Sequence, residues 1–140
     1  MQQHKDSYRP TNEVAPVGGV FLLSAGFGTR LKPISNTIPK PLMPIAGVPM
    51  LGWDLYWSQN ICTKKIFINT HYLPNKIGDY LAASPIKALK KDRQLHVIHE
   101  IDILGTGGGL TSFCPLIDPL KYYVVKAADI FFPDWAPYAN

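Results

Sequence analysis

Cysteine is nearly missing: Cys62 and Cys114 are the only two in 140 residues, and they stand far apart in no metal-ligand spacing. That argues against a zinc ribbon and a secreted disulfide framework, and it fits a reducing, cytoplasmic setting. Charge is also sparse, at 17% against 46% hydrophobic residues, which excludes a disordered tail. No apolar run approaches the roughly 18 residues that a membrane helix needs. The net charge is +4, yet Lys and Arg are scattered and form no helix-sized stripe. Small anions, rather than nucleic acid or a membrane, are therefore the expected partners. Val17 to Ala25 could pass as the apolar core of a signal peptide, but Asp6 and Glu13 precede it and no small-x-small cleavage pattern follows.

What is present suits one domain. A chain of this length can bury roughly two-thirds of its unfolded surface. Residues 1–16 are polar, carry Pro10 and Pro16, and read as a flexible extension, with a single domain over 17–140. Val17 to Ser24 is a short continuous apolar run, as in a strand buried on both faces. Ala25 to Ala46 carries Pro33, Pro39, Pro41 and Pro44, so a long loop is expected there. Pro49 opens a helix of about ten residues, in which Trp53, Tyr56 and Trp57 read as packing. Lys65 to Asn69 is a second strand, Pro74 opens a second helix, and Lys87 to Arg93 is a solvated basic turn. Gln94 to Glu100 is a third strand, and a glycine loop over Gly105 to Gly109 precedes a short helix. Tyr122 to Lys126 is a fourth strand, with Asp129 just past its end. This alternation predicts an α/β fold: a Rossmann-like, three-layer domain with a mainly parallel sheet. Ligands then bind beyond the carboxyl ends of the strands, where the 25–40 loop, Asn69 to His71, the glycines and Asp129 all fall.

The first of these loops is built for an anion. Gly26 and Gly28 directly follow a buried strand and let several N–H groups converge on one ligand. Arg30 adds a planar fork of donors suited to phosphate oxygens, and Lys40 is a cation rooted between two prolines. Two rival glycine motifs fail. The third glycine of G-x-G-x-x-G is replaced by Leu31, and Asn69-Thr70-His71 stands where a dinucleotide fold carries its acid. The ATPase loop needs a Gly-Lys pair, which this chain lacks. His71 and Glu100 read first as structural, and His96 and His99 face opposite sides of one strand.

The segment from Leu22 to Leu51 closely resembles the signature of sugar-phosphate nucleotidyltransferases, L-x-A-G-x-G-T-R-[LM]-x-P followed by P-K-P-[LM]. Glu100 to Gly109 is similar to the E-x-x-x-L-G-T-G-G-G segment of the same family, and Val124 to Asp129 to the strand that ends in its metal-binding Asp. The bacterial sugar-1-phosphate uridylyltransferase and guanylyltransferase branch is the most similar, including the enzymes that recycle N-acetylmuramic acid 1-phosphate. The resemblance implies transfer of a nucleoside monophosphate from an NTP, UTP before GTP, to a sugar 1-phosphate with release of pyrophosphate. It implies that Ser24, Ala25, Gly26, Gly28, Thr29 and Asn69 line the nucleotide. Arg30 would grip the β- and γ-phosphates and Lys40 the α-phosphate, both as catalytic residues. Gly107 and Gly108 would pass the base or ribose, and Asp129 would hold Mg²⁺. The attacking phosphate, with a second pKa of about 6, is already ionised at pH 7, so no general base is needed.

Two departures stand out. Relatives carry Asn-Gly before the Asp, where this chain has Ala127-Ala128. Relatives also continue well beyond the position of Asn140, so the expectation is a truncated fold: a nucleotide half without an acceptor half. The alternative is therefore a nucleotide-binding fragment of low activity. Either way, a second copy, a partner chain or a missing C-terminal half is expected to cover the open sheet edge.

Overall fold

The computed structural model describes residues 17–59, 64–83 and 94–131. The extension 1–16, Cys62, the basic stretch 87–93 and the tail from Phe132 lie outside the described residues.

Strand β1 (Val17–Leu23) leads into a segment without an α-helix, made of 3-10 turns at Thr29–Leu31, Ile34–Asn36 and Lys40–Leu42. Prolines here forbid longer helices. A small hairpin follows, β2 (Pro44–Ile45) against β3 (Val48–Pro49), turned by Ala46 and Gly47, both at positive φ. Helix α1 (Met50–Ser58) starts directly after Pro49. Then come β4 (Lys65–Thr70), α2 (Pro74–Ala82), β5 (Gln94–His99), α3 (Gly105–Thr111) and β6 (Tyr122–Ala127).

β1, β4, β5 and β6 form one parallel sheet in the order β5-β4-β1-β6. Side chains alternate across it. Val20 and Leu22 of β1 and Ile66 and Ile68 of β4 pack against Leu51 and Leu55 of α1 and Ile77 and Leu81 of α2. On the other face Phe21 and Phe67 stack at 4.6 Å and meet Phe113, just beyond α3. Helices thus cover both faces, and the expected three-layer α/β architecture is the one observed.

Two expectations fail. Gly105 to Gly109 is not a loop but most of α3. Glycine costs about 1 kcal/mol per helical position against alanine, so local preference opposes this helix. Tertiary contacts decide it: Glu100 accepts the Leu104 N–H at the helix start, and Leu110 and Phe113 pack beneath the sheet. Tyr56 is the second failure. It is 57% exposed, because its side of α1 points away from the sheet.

Strand order reverses between β1 and β6. Within the four-stranded sheet the next strand after β1 is β4, on one side, while β6 returns to its other side. Loops leaving neighbouring strands diverge at such a point and open a cleft.

Candidate nucleotide site

At the carboxyl edge Leu23 is level with Asn69 and Ala127, and Asn69 with Ile98, so the four outgoing loops start along one line. Side chains lash this line together. Ser24 N–H donates to Asn69 Oδ1 at 2.8 Å, Asn69 Nδ2 donates to Glu100 Oε1 at 2.7 Å, and Leu104 N–H donates to Glu100 Oε2 at 3.2 Å. The chain of contacts joins β1, β4 and β5 to the start of α3. Three of its members are buried, Ser24 at 2%, Glu100 at 3% and Asn69 at 4% exposure, while Leu104 is exposed. Ser24 and Asn69, expected along the nucleotide, therefore lie beneath the loop as its supports. Glu100 is buried in the same tie, with both carboxylate oxygens accepting hydrogen bonds.

Above this tie, Ala25 is buried and the chain rises to Gly26 and Phe27 at the surface, with Gly28 half-buried. Gly28 adopts φ 62°, and a β-carbon there would come within 3.2 Å of the Lys40 side chain. Positive φ and close approach both select glycine. Lys40 is fixed at its root: Pro39 and Pro41 are buried, and Leu42 N–H donates to Pro39 O at 2.8 Å. Its ammonium pairs with Asp129, and both side chains are about one-third exposed, at 31% and 35%. Residues 89 apart in sequence thus meet at the β1/β6 cleft. Thr29 and Arg30 are exposed in the intervening turn, and Arg30 has no ion pair among the described residues.

The glycines of α3 divide by surroundings. Gly107 faces open space, a β-carbon on Gly108 would meet Leu104 Cβ at 2.4 Å, and one on Gly109 would meet Asn69 and Glu100. His71 Nδ1 lies 2.9 Å from the Glu100 carbonyl, and its ring meets Phe27 edge-on at 5.2 Å. Trp53 donates to the Ile45 carbonyl at 3.0 Å and Trp57 packs on the core, as read from sequence. His96 stacks on Phe67, while His99 Nδ1 lies 3.2 Å from the Thr70 carbonyl.

Sequence reasoning passed over Asp54 and Lys126. They form a buried ion pair behind Asp129, with side chains 5% and 8% exposed. Burial pushes the Asp54 carboxyl up to about 6, the Lys126 contact opposes that shift, and the nearby charge of Asp129 adds to it. The signal was available: one ionisable residue of each sign, each set in an apolar run.

The chain as a whole has known counterparts. Residues 20–139 match the family described as nucleotidyl transferase. The chain belongs to that nucleotidyl transferase family. It is 30% identical over 109 residues to the N-acetylmuramate alpha-1-phosphate uridylyltransferase of Neisseria meningitidis, covering 76% of this chain and 45% of that protein. It is 33% identical over 105 residues to the mannose-1-phosphate guanylyltransferase regulatory subunit alpha of Xenopus tropicalis, covering 71% and 24%. Among solved structures, HddC from Yersinia pseudotuberculosis complexed with GMP-PN superposes with a TM-score of 0.65 at 30% identity, covering 81% and 48%. A UDP-glucose pyrophosphorylase complexed with UDP-glucose shares the fold, with a TM-score of 0.70 at 22% identity over 81% and 46%. This nucleotidyl transferase chain spans under half the length of each of these relatives. No helix among its described residues is long and apolar enough to cross a membrane.

Proposed function

We propose that the chain carries the nucleotide-binding half, 17–140, of a cytoplasmic sugar-1-phosphate nucleotidyltransferase, with UTP the favoured donor and GTP next. The observation that carries this reading is the meeting of Lys40 and Asp129 at the strand-order reversal, beside the glycine loop. The uridylyltransferase relative supports UTP, and the guanylyltransferase relative supports GTP.

The chemistry asks for charge control rather than a base. A sugar 1-phosphate oxygen attacks the α-phosphorus, and pyrophosphate leaves. Two anions must be brought together and the departing charge held. Backbone N–H groups from Ala25 to Gly28 line the phosphates, Arg30 holds the β- and γ-groups, and Lys40 holds the α-phosphate. Gly107, open to solvent, leaves room for the ribose or base. Asp129 suits Mg²⁺, because a hard cation takes one or two carboxylates and completes its shell with phosphate oxygens and water. Its partly exposed carboxylate at the cleft fits that donor set. Bound there, Mg²⁺ would neutralise phosphate charge.

A low-activity nucleotide-binding fragment is the second reading, favoured by Ala127-Ala128 before Asp129, which offer no side-chain amide beside the carboxylate. Among the described residues β6 is an edge strand, with Tyr122 70% and Val125 46% exposed, so a covering strand from another segment or chain belongs to either reading. Thermal melts with each NTP, with and without Mg²⁺, test both. The expected result is stabilisation by UTP, lost in Arg30→Ala with the ligand-free melt unchanged. No shift with any nucleotide at millimolar concentration defeats both readings. Pyrophosphate release from UTP and a sugar 1-phosphate separates enzyme from binder.

A further inference from the structure

Lys126 does more than neutralise Asp54. An ammonium has three N–H donors. Here Nζ donates to Asp54 Oδ1, to the Ile130 carbonyl and, at 3.3 Å, to the Ala127 carbonyl. The two carbonyls bracket Asp129. Ile130 N–H closes the same turn onto the Ala127 carbonyl at 3.3 Å. The turn has no side-chain amide of its own, since Ala127 and Ala128 precede Asp129. Asp54 fastens the ammonium to α1, and the Trp57 ring lies 6.0 Å from it.

Stability alone gives little reason for this pair. A buried ion pair is often matched or bettered by apolar side chains of similar volume. This one also leaves Asp54 Oδ2 buried with no hydrogen-bond partner. We propose that Lys126, anchored by Asp54, is the positioning residue that holds the Ala127–Ile130 turn and so aims the Asp129 carboxylate into the cleft. The inference rests on the nucleotide-site reading above. Outer groups that orient a metal ligand typically change metal affinity by 10- to 100-fold when removed.

The experiment uses the full chain and a double variant, Lys126→Met with Asp54→Leu, which removes both charges without leaving one buried alone. UTP binding is titrated with Mg²⁺ and with EDTA. The variant should fold and bind UTP in EDTA as the wild type does. The gain in affinity that Mg²⁺ gives the wild type should shrink by about 10- to 100-fold. Amide exchange at Asp129 and Ile130, read without ligand, should quicken. Asp54→Asn keeps the shape but loosens the anchor of the ammonium, and should lose part of the gain. If either variant is folded and keeps the full Mg²⁺ gain, the positioning role is wrong and the nucleotide site stands. If the wild type binds no UTP under either condition, the site reading fails and this role fails with it.

Discussion

A β-carbon at Gly109 would lie 2.7 Å from Asn69 Nδ2 and 2.8 Å from Glu100 Oε1. Neither neighbour is free to move, because each is tied on its far side to Ser24 or Leu104. Gly109→Ala should therefore destabilise the chain by about 1–3 kcal/mol, the usual range for overpacking. Gly107 lies two residues earlier in the same helix and faces open space. Gly107→Ala should add up to about 1 kcal/mol through helix propensity, yet weaken UTP binding if the ribose or base passes there. Urea unfolding and nucleotide titration on both variants check this. A neutral Gly109→Ala, or a Gly107→Ala with tighter UTP binding, would contradict it.

Among the elements, β1 and its loop were legible because local chemistry decides them. An apolar run closes into a buried strand, and the glycines and prolines after it restrict the backbone to turns. α3 was not legible, since its glycines argue locally against helix and the deciding contacts come from Glu100 and the aromatic layer. Lys126 and Asp54 were missed for a related reason. They are 72 residues apart, and only the packing of α1 beside β6 brings them together. The Asn69–Glu100 tie is likewise invisible until β4 and β5 lie side by side. Its members should act as one unit. Asn69→Ala and Glu100→Ala should each cost stability, since each strands a buried polar group, at about 1–3 kcal/mol. The double variant should fall short of the sum, with a coupling of about 0.5–3 kcal/mol measured by denaturant melts. Strict additivity would mean that the two side chains do not share their cost.

For the whole molecule, stability should depend on pH through Asp54. The unfolded carboxyl titrates near 3.8 and the folded one near 6, so the folded state holds the proton more tightly. Holding that charge buried costs stability above pH 6, and the cost is relieved as pH falls toward 3.8. At about 1.4 kcal/mol per pKa unit, the full difference is roughly 3 kcal/mol. Measured against Asp54→Asn, the wild type should gain relative stability between pH 7 and pH 4.5, as read by urea melts. A wild type that instead loses stability relative to Asp54→Asn on acidification would mean that Lys126 holds the carboxyl below its ordinary range.

The two ion pairs also govern how the cleft behaves toward ions in bulk solution. Lys40 and Lys126 each face an acid of this chain, whereas Arg30 stands outward on its turn with no ion pair among the described residues. Long-range attraction of a polyanion at this edge therefore falls to outward charges such as Arg30 and Lys32, both exposed on this loop. Added electrolyte screens those exposed charges and barely reaches the pair behind the turn. Ionic strength thus bears on how fast a ligand arrives, and hardly on the scaffold that receives it.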